Sequence, residues 1–284
     1  MEQPLIEDII LRYSHRGMDL LRPYLPPFFC QEAAESILSW ERGTVILTTG
    51  FYVAGHAETD GPPGTVVLAK ALEILGFSPV ILTDLACDRF FEPEGLDVIY
   101  MPFGKDDGFA RRTLNSLHPV GMISVERCGH DESGDYINSR GESVERHTAH
   151  TDALFEEAYG TIPTIGIGDG GNEIGMGNLA GIIEEKLDIG VCRVKTDHLV
   201  IASVSNWGAY GIAAYLQQLS GIRLFPELAF VEGYLERTVA LGSVDGVARR
   251  NICGVDGYAL AVSEEIYGAL YEQAQRQLYK PRTP

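Results

Sequence analysis

Short apolar runs alternate along the chain with stretches whose apolar residues recur every three or four positions. Six of the runs are almost continuously apolar, with little alternation between apolar and polar positions. Strands that are buried on both faces show this pattern, which predicts a parallel sheet covered by helices on two sides. The predicted strands occupy residues 44–49, 79–83, 97–101, 120–125, 164–167 and 198–204.

Helical spacing of apolar residues fills several of the intervals between these strands. The predicted helices occupy residues 65–75, 152–159, 172–187 and 209–219. Gly76 and Gly160 follow two of them directly, as is common at helix C-termini. The region before the first strand predicts two helices, separated by Pro23, Pro26 and Pro27.

This order of strands and helices predicts an α/β fold. We expect a doubly wound, mainly parallel sheet with helices on both faces and an N-terminal helical appendage. We further expect a single α/β domain over residues 1–284. Within it, residues 1–42 form N-terminal helices, 43–225 form the sheet core with its ligand loops, and 226–284 form a C-terminal helical segment. That last segment contains a loop near 242–257 and a loosely held tail at 280–284.

The charge balance narrows the choice of partners. The chain has 22 basic and 40 acidic residues, which gives a formal net charge of -18. Such a chain repels nucleic acid and anionic membranes unless a basic patch reverses the sign locally, and the sequence shows no such patch. We therefore expect neither a nucleic-acid nor a membrane partner. A homo-oligomer stays open, because the sequence gives no measure of oligomeric state.

The cysteines and the first residues bear on localisation. The five cysteines are widely separated and form no CxxC pair, which favours reduced thiols over disulfides or a zinc site. The first ten residues lack the basic start of a secretory signal, and no apolar run approaches the ~20 residues that span a bilayer. We expect a cytoplasmic protein.

Polar and acidic residues follow most of the predicted strands. In an open α/β sheet, ligands bind outside the C-terminal ends of the strands, and those ends share one edge. We therefore expect the side chains that follow the strands to converge on one pocket. They are Glu58, Asp60, Asp84, Glu126, Arg127, Asp169, Glu173 and Asn206.

The sharpest local signal is the segment 166–178. It contains six glycines in thirteen residues, together with Asp169 and Glu173. Glycines let a backbone turn tightly and approach a ligand, and carboxylates supply hard oxygen ligands to Mg²⁺ or Mn²⁺. We prefer a functional loop to a merely solvated turn. The predicted metal ligands are Asp169, Glu173, Glu126 and Asp60.

The sequence of this loop permits two other interpretations. Gly166, Gly168 and Gly171 match G-x-G-x-x-G, but Asp169 and Glu173 would lie where a pyrophosphate must bind, so no NAD site is predicted. The loop also looks like the GDGxND loop of haloacid-dehalogenase-type phosphatases. The nucleophile motif of those enzymes has only a partial counterpart here. A Mg²⁺- or Mn²⁺-dependent phosphatase-like enzyme stays open as an alternative.

Several motifs occur in a fixed order. They are TGF at 49–51, GHAETDGPPGT at 55–65, Thr83-Asp84, Glu126-Arg127, Asn138 with Arg140-Gly141, TIGIGDGGNEIGMGN at 164–178 and SNWGAYG at 205–211. Together they resemble the C-terminal domain of the D-glutamate cyclase family. The resemblance implies a lyase of the hydro-lyase type that interconverts D-glutamate and 5-oxo-D-proline plus water.

This reaction suggests roles for individual residues. A divalent ion would polarise the side-chain carboxylate of the substrate, and Glu58 would take the ammonium proton. Arg127 or Arg140 would clamp the α-carboxylate. The predicted catalytic residues are Glu58, Asp60 and Glu126. The predicted substrate-binding residues are Arg127, Arg140, Asn138, Asn206, Gly168, Gly170 and Gly171. A further alternative is a non-catalytic binding module for a small acidic metabolite.

Overall fold

A computed structural model describes residues 4–104 and 108–276. The described residues form a six-stranded parallel sheet and a short antiparallel hairpin. The sheet consists of β1 (Thr44–Thr49), β4 (Ser78–Thr83), β5 (Asp97–Tyr100), β6 (Gly121–Val125), β7 (Thr164–Gly168) and β8 (His198–Ile201). The hairpin consists of β2 (Tyr52–Val53) and β3 (His56–Ala57). The tail predicted at 280–284 lies outside the described residues.

The strand order places a switch point in the middle of the sheet. The order is β5-β4-β1-β6-β7-β8, and every neighbouring pair is parallel. From β1 the chain winds outward through β4 and β5, then returns to β6 on the other side of β1 and winds outward again. Ligands of doubly wound folds bind where the winding reverses, here between the C-terminal ends of β1 and β6. The predicted α/β architecture is confirmed.

Ten α-helices lie among the described residues. They are α1 (Ile6–Ile10), α2 (Met18–Leu21), α3 (Phe29–Ser39), α4 (Pro62–Ile74), α5 (Phe109–Leu117), α6 (Asp152–Ala158), α7 (Ala180–Lys186), α8 (Ser205–Ser220), α9 (Leu228–Ala240) and α10 (Leu260–Gln275). Helix α8 is the centre of one layer and packs against α3, α4 and α10. Helices α5 and α6 pack on each other, and right-handed crossovers place them on the opposite face of the sheet.

Two predicted boundaries are wrong for a tertiary reason. The strand predicted at 198–204 ends at Ile201, because the amide of Ser203 donates instead to the carbonyl of Ile10 in the N-terminal region, at 2.9 Å. The helix predicted at 209–219 begins earlier, at Ser205. Its first turn is stabilised by a carboxylate from a distant loop, which no local pattern reveals.

The helix predicted at 172–187 is wrong in its first half. Residues 172–175 form a loop, Met176–Leu179 is a 3₁₀ turn, and only α7 is α-helical. Gly175 has a φ of 106°, which an α-helix cannot contain, and the amide of Ile174 bonds to the carbonyl of Arg127 at 2.9 Å. The N-terminal region holds three helices rather than two, and α5 was not predicted.

Two expectations from composition can be compared with the described residues. All five cysteines are free thiols, and four of them are buried. None of the described helices combines the length and the apolar character needed to cross a bilayer.

The crossing of α4 and α8 gives a test of this packing. A Cβ atom added at Gly64 would lie 2.8 Å from the Cβ of Ala209, whereas one added at Gly233 in α9 would have no neighbour within 4 Å. We expect Gly64→Ala to lower the free energy of unfolding by about 1–3 kcal/mol through overpacking. The matched Gly233→Ala should raise it by up to about 1 kcal/mol, because alanine favours the helix.

Urea unfolding followed by circular dichroism measures both changes. Equal shifts of the same sign in the two variants would show that α4 and α8 are not in such close contact.

Candidate functional site

Three carboxylates from separate loops meet at the switch point. Asp60 precedes α4, Glu126 directly follows β6, and Asp169 directly follows β7. Each offers one oxygen atom, and the three oxygens lie within 4.8 Å of one another. All three side chains are buried. The parallel strands cause this meeting, since their C-terminal ends open on the same edge of the sheet.

Asp60 is bound at the N-terminus of α8. One carboxylate oxygen accepts hydrogen bonds from the amides of Asn206 at 2.8 Å and Gly61 at 2.9 Å, and the other accepts from the amide of Ser205 at 2.8 Å. A helix N-terminus has free amide groups and a positive dipole end, so it stabilises a negative charge there. Asp60 therefore caps α8 from outside the helix and joins the first ligand loop to it.

Glu126 is held in a strained backbone conformation. Its φ of 49° lies in the left-handed region, which residues other than glycine seldom adopt. Its carboxylate accepts a 2.6 Å hydrogen bond from the hydroxyl of Ser205. Such outliers cluster at functional sites because the surrounding structure must impose them. The hydrogen bond from Ser205 places the Glu126 carboxylate at the start of α8.

Asp169 shares a cation with Asp256. The Arg16 guanidinium donates to one carboxylate oxygen of Asp169, and it contacts both oxygens of Asp256 at 2.7 Å. The second oxygen of Asp169, Oδ2, is buried and has no hydrogen-bond partner among the described residues. A buried oxygen without a partner is costly. Asp169 also lies in the triad of carboxylates, which together could hold a metal ion.

The glycine-rich loop makes room for Glu173. A Cβ atom at Gly168 or at Gly170 would lie 2.7 or 2.8 Å from a carboxylate oxygen of Glu173. The amide of Gly171 donates to Glu173 at 2.8 Å. These three glycines, predicted to bind substrate, therefore position a carboxylate of the protein itself.

Burial raises the pKa values across this cluster. Burial, reinforced by the charge of Asp256, raises the pKa of Asp60 to about 7, although three backbone amides oppose the shift. Burial and neighbouring carboxylates raise the pKa values of Glu58 and Glu126 well above the usual range. Burial also raises those of Asp169 and Glu173, against the opposing charge of Arg16. The cluster is short of positive charge at neutral pH and retains protons or attracts a cation.

The cluster opens on a cavity of about 200 Å³. Acidic side chains and arginines both line it. The acidic residues are Glu58, Glu126, Glu142, Glu173 and Asp256, and the arginines are Arg16, Arg140 and Arg249. Asp60 and Asp169 are buried more deeply and are not among the lining residues. A space of this size suits a small metabolite with ends of different charge.

Arg127 and Asn206 have their polar groups engaged within the protein. Arg127 is 1% exposed, pairs with Asp84 at 2.7 Å and donates to the carbonyls of Gly50 and Ala149. It does not line the cavity. The Asn206 side chain accepts from the amides of the α4 start and donates to the chain before it. Both residues position the loops around the cavity.

Asn138 and Arg140 lie in one loop at the cavity. The Asn138 side chain accepts from the amide of Arg140 at 2.9 Å and donates to the carboxylate of Glu142 at 2.9 Å. The Arg140 guanidinium reaches the carbonyl of Val247 at 3.4 Å. Asn138 therefore stabilises the conformation of the loop. Of the two arginines predicted to bind substrate, Arg140 is the one whose side chain lines the cavity.

Sequence reasoning missed four charged residues of the site. Arg16 lies between α1 and α2, Glu142 lies between β6 and α6, and Arg249 and Asp256 lie in the loop between α9 and α10. None of the four directly follows a strand, so a search along strand ends does not find them. Arg16 and Asp256 each precede a glycine with positive φ, which is the local sequence feature that they share.

Comparison with known proteins adds an independent line of evidence. The chain is 31% identical over 200 residues to human "D-glutamate cyclase, mitochondrial", an alignment that covers 61% of this chain and 32% of the relative. The chain thus spans about a third of the length of that curated relative. A solved structure of an exopolyphosphatase-related protein from Bacteroides fragilis matches 91% of this chain and 62% of its own, with 8% identity and a TM-score of 0.45.

A family model described as "D-glutamate cyclase-like, C-terminal" matches residues 6–271. That range contains the sheet and the carboxylate cluster with the three loops that carry it. It also contains Arg16, Arg249 and Asp256. The chain therefore belongs to the D-glutamate cyclase-like, C-terminal family.

Proposed function

We propose that this chain is an enzyme that interconverts D-glutamate and 5-oxo-D-proline plus water. The observation that carries the proposal is a cluster of buried carboxyl groups with raised pKa values that opens on a small cavity, which arginines also line. The family and the name of the human relative support the choice of substrate.

The reaction defines what the site must do. In the cyclising direction, the α-nitrogen of D-glutamate forms a bond to its side-chain carboxyl carbon, and one carbon–oxygen bond breaks. The ammonium group loses two protons, the departing oxygen gains two, and one water molecule leaves. The site must therefore accept protons at nitrogen, deliver protons to oxygen and hold the chain in a ring-like conformation.

Glu58 is placed for the proton transfers. It lines the cavity, and burial among like charges raises its pKa well above the usual range. In our proposal a deprotonated Glu58 accepts each proton from the nitrogen and delivers it to the departing oxygen. Groups whose pKa lies near the working pH exchange protons most effectively. Glu126 and Asp60, whose pKa values are also raised, retain protons only while no cation is bound among the carboxylates.

The substrate carboxylate that does not react needs a cation. Arg140 lines the cavity and has no carboxylate within salt-bridge distance among the described residues. In our proposal Arg140 binds this α-carboxylate, and the acidic lining binds the ammonium group. The α-carboxylate and the ammonium group share one carbon, so these two contacts orient that end of D-glutamate and bring the nitrogen towards Glu58.

The donor set fits a hard divalent cation. The unpartnered Oδ2 of Asp169 and the three carboxylate oxygens within 4.8 Å suit Mn²⁺ or Mg²⁺, which prefer oxygen ligands. We propose that Asp60, Glu126 and Asp169 hold such an ion. When bound, it would supply Lewis-acid polarisation of the side-chain carboxyl group. Glu173 lies beside this triad and adds negative charge.

The first prediction concerns Asp169→Asn. The change conserves volume but removes a charge from the triad, so turnover should fall by about a hundredfold or more, and Mn²⁺ binding should weaken. Chromatographic assay of the D-glutamate and 5-oxo-D-proline interconversion measures the first effect, and calorimetric titration of Mn²⁺ measures the second.

Asp97→Asn is the matched control for this prediction. Asp97 is exposed at the start of β5, on the opposite edge of the sheet, and its substitution makes the same change in net charge. It should leave both readings unaltered. Equal turnover in the two variants, or no interconversion by the wild type with any divalent ion, would refute the proposed function.

The second prediction concerns pH. Because burial raises the folded-state pKa of Asp60 to about 7, the folded protein keeps a proton that the unfolded chain has already released above its ordinary pKa. The ion-free protein should therefore lose stability as pH rises from about 5 through about 7.

Added Mn²⁺ must displace these protons, so its stabilising effect should be larger at about pH 8 than at about pH 6. Thermal unfolding at both pH values, with and without the ion, measures the difference. An equal gain in melting temperature at both pH values, or the same pH dependence in Asp169→Asn, would contradict it.

A further inference from the structure

Two loops meet at the mouth of the cavity through crossed contacts. Arg140 reaches from its loop to the carbonyl of Val247 in the second loop, at 3.4 Å. Arg249 reaches back from the second loop to the carboxylate of Glu142 in the first, at 3.0 Å. Arg140, Glu142 and Arg249 all line the cavity. The cations and the carboxylate that join the loops are therefore within reach of anything bound there.

Arg140 and Arg249, the two rim arginines, are the cations available to an anionic ligand. The third arginine of the lining, Arg16, is engaged by Asp169 and Asp256. Within residues 4–104 and 108–276, the one side-chain hydrogen bond of Arg140 is a long one to a carbonyl, and Arg249 has Glu142 as its carboxylate partner. A ligand with a carboxylate would be repelled by the acidic lining and attracted to the rim, which fixes its orientation.

The Arg249–Glu142 pair is easily exchanged. The side chains of Arg249 and Glu142 are 40% and 59% exposed, and exposed ion pairs contribute little to stability. Hydrogen bonding from Asn138 and the charge of Arg249 lower the pKa of Glu142, so this carboxylate is ionised at neutral pH. Another ionised carboxylate can take its place on the same guanidinium without loss of charge pairing.

We propose that Glu142 occupies, in the free protein, the position on Arg249 that a ligand carboxylate takes when it binds. The inference rests on the proposed function and adds a specificity-determining residue to it. The incoming carboxylate displaces Glu142 and is bound by Arg249 together with Arg140. The ligand class is a small carboxylate whose α-carbon also bears a nitrogen donor, such as the ammonium of D-glutamate or the ring N–H of 5-oxo-D-proline.

The two partners of the pair should then have opposite effects on binding. Arg249→Gln removes the site for the ligand carboxylate and should weaken the binding of 5-oxo-D-proline by about tenfold. Glu142→Gln removes the internal competitor and should tighten it by about two- to fivefold. A purely structural role of the pair, in holding the two loops together, predicts weaker binding in both variants.

Calorimetric titration of 5-oxo-D-proline and of its neutral carboxamide, 5-oxo-D-prolinamide, separates charge recognition from shape. Only the acid should respond to the two substitutions, since the amide has no carboxylate to exchange. Arg250→Gln and Glu145→Gln are matched controls, because both residues are exposed neighbours in the same loops and neither lines the cavity. They should leave the affinity unchanged.

Glutarate, a dicarboxylate without the amine, serves as a second probe that does not depend on turnover. The same opposite shifts with glutarate would support the exchange even if no interconversion of D-glutamate were found, which separates this inference from the proposed function. Weaker binding in both variants, an equal response of acid and amide, or no binding of either carboxylate to the wild type would overturn it.

Discussion

The bond between the Asp60 carboxylate and the first amides of α8 is the interaction on which the site depends. It joins the loop after β1 to the most buried helix of the protein, and it places a charged group beside the ends of β6 and β7. Asn206 repeats the connection in the opposite direction by accepting from the amides of Gly61 and Gly64. The helix dipole and the reciprocal hydrogen bonds together stabilise the ionised carboxylate, which burial and the neighbouring negative charges disfavour.

Crowded carboxylates set the electrostatic character of the cavity. Glu58, Glu126, Asp169 and Glu173 come from three loops, and Arg16 and Asp256 come from chain segments outside the sheet. The single guanidinium of Arg16 does not balance this much negative charge. Protons or a divalent cation must supply the remaining positive charge. The same imbalance gives the cavity two unlike regions, one that favours cations and proton transfer and one, at the arginine rim, that favours carboxylates.

The sequence was sufficient for the sheet, because its strands are buried on both faces and their apolar runs leave little ambiguity. The carboxylates at the strand ends could also be predicted, since Glu126 and Asp169 directly follow β6 and β7. The failures have tertiary causes. Helix α8 begins at Ser205 because Asp60 caps it from far away in the chain, and residues 172–175 form a loop because Gly175 and the contact of Ile174 with Arg127 prevent a helix. Arg16 joins the site only through the packing of the N-terminal region.

The glycine spacing of segment 166–178 has a consequence for how such motifs are interpreted. At Gly168 and Gly170 the absent side chains leave space that Glu173 fills, so the glycines accommodate a neighbouring residue and not a phosphate backbone. The spacing by itself therefore does not indicate nucleotide binding. A substitution at either glycine would displace an acidic group before it touched any ligand. In this chain the glycine spacing accommodates an internal carboxylate, that of Glu173, which lies five positions after Gly168.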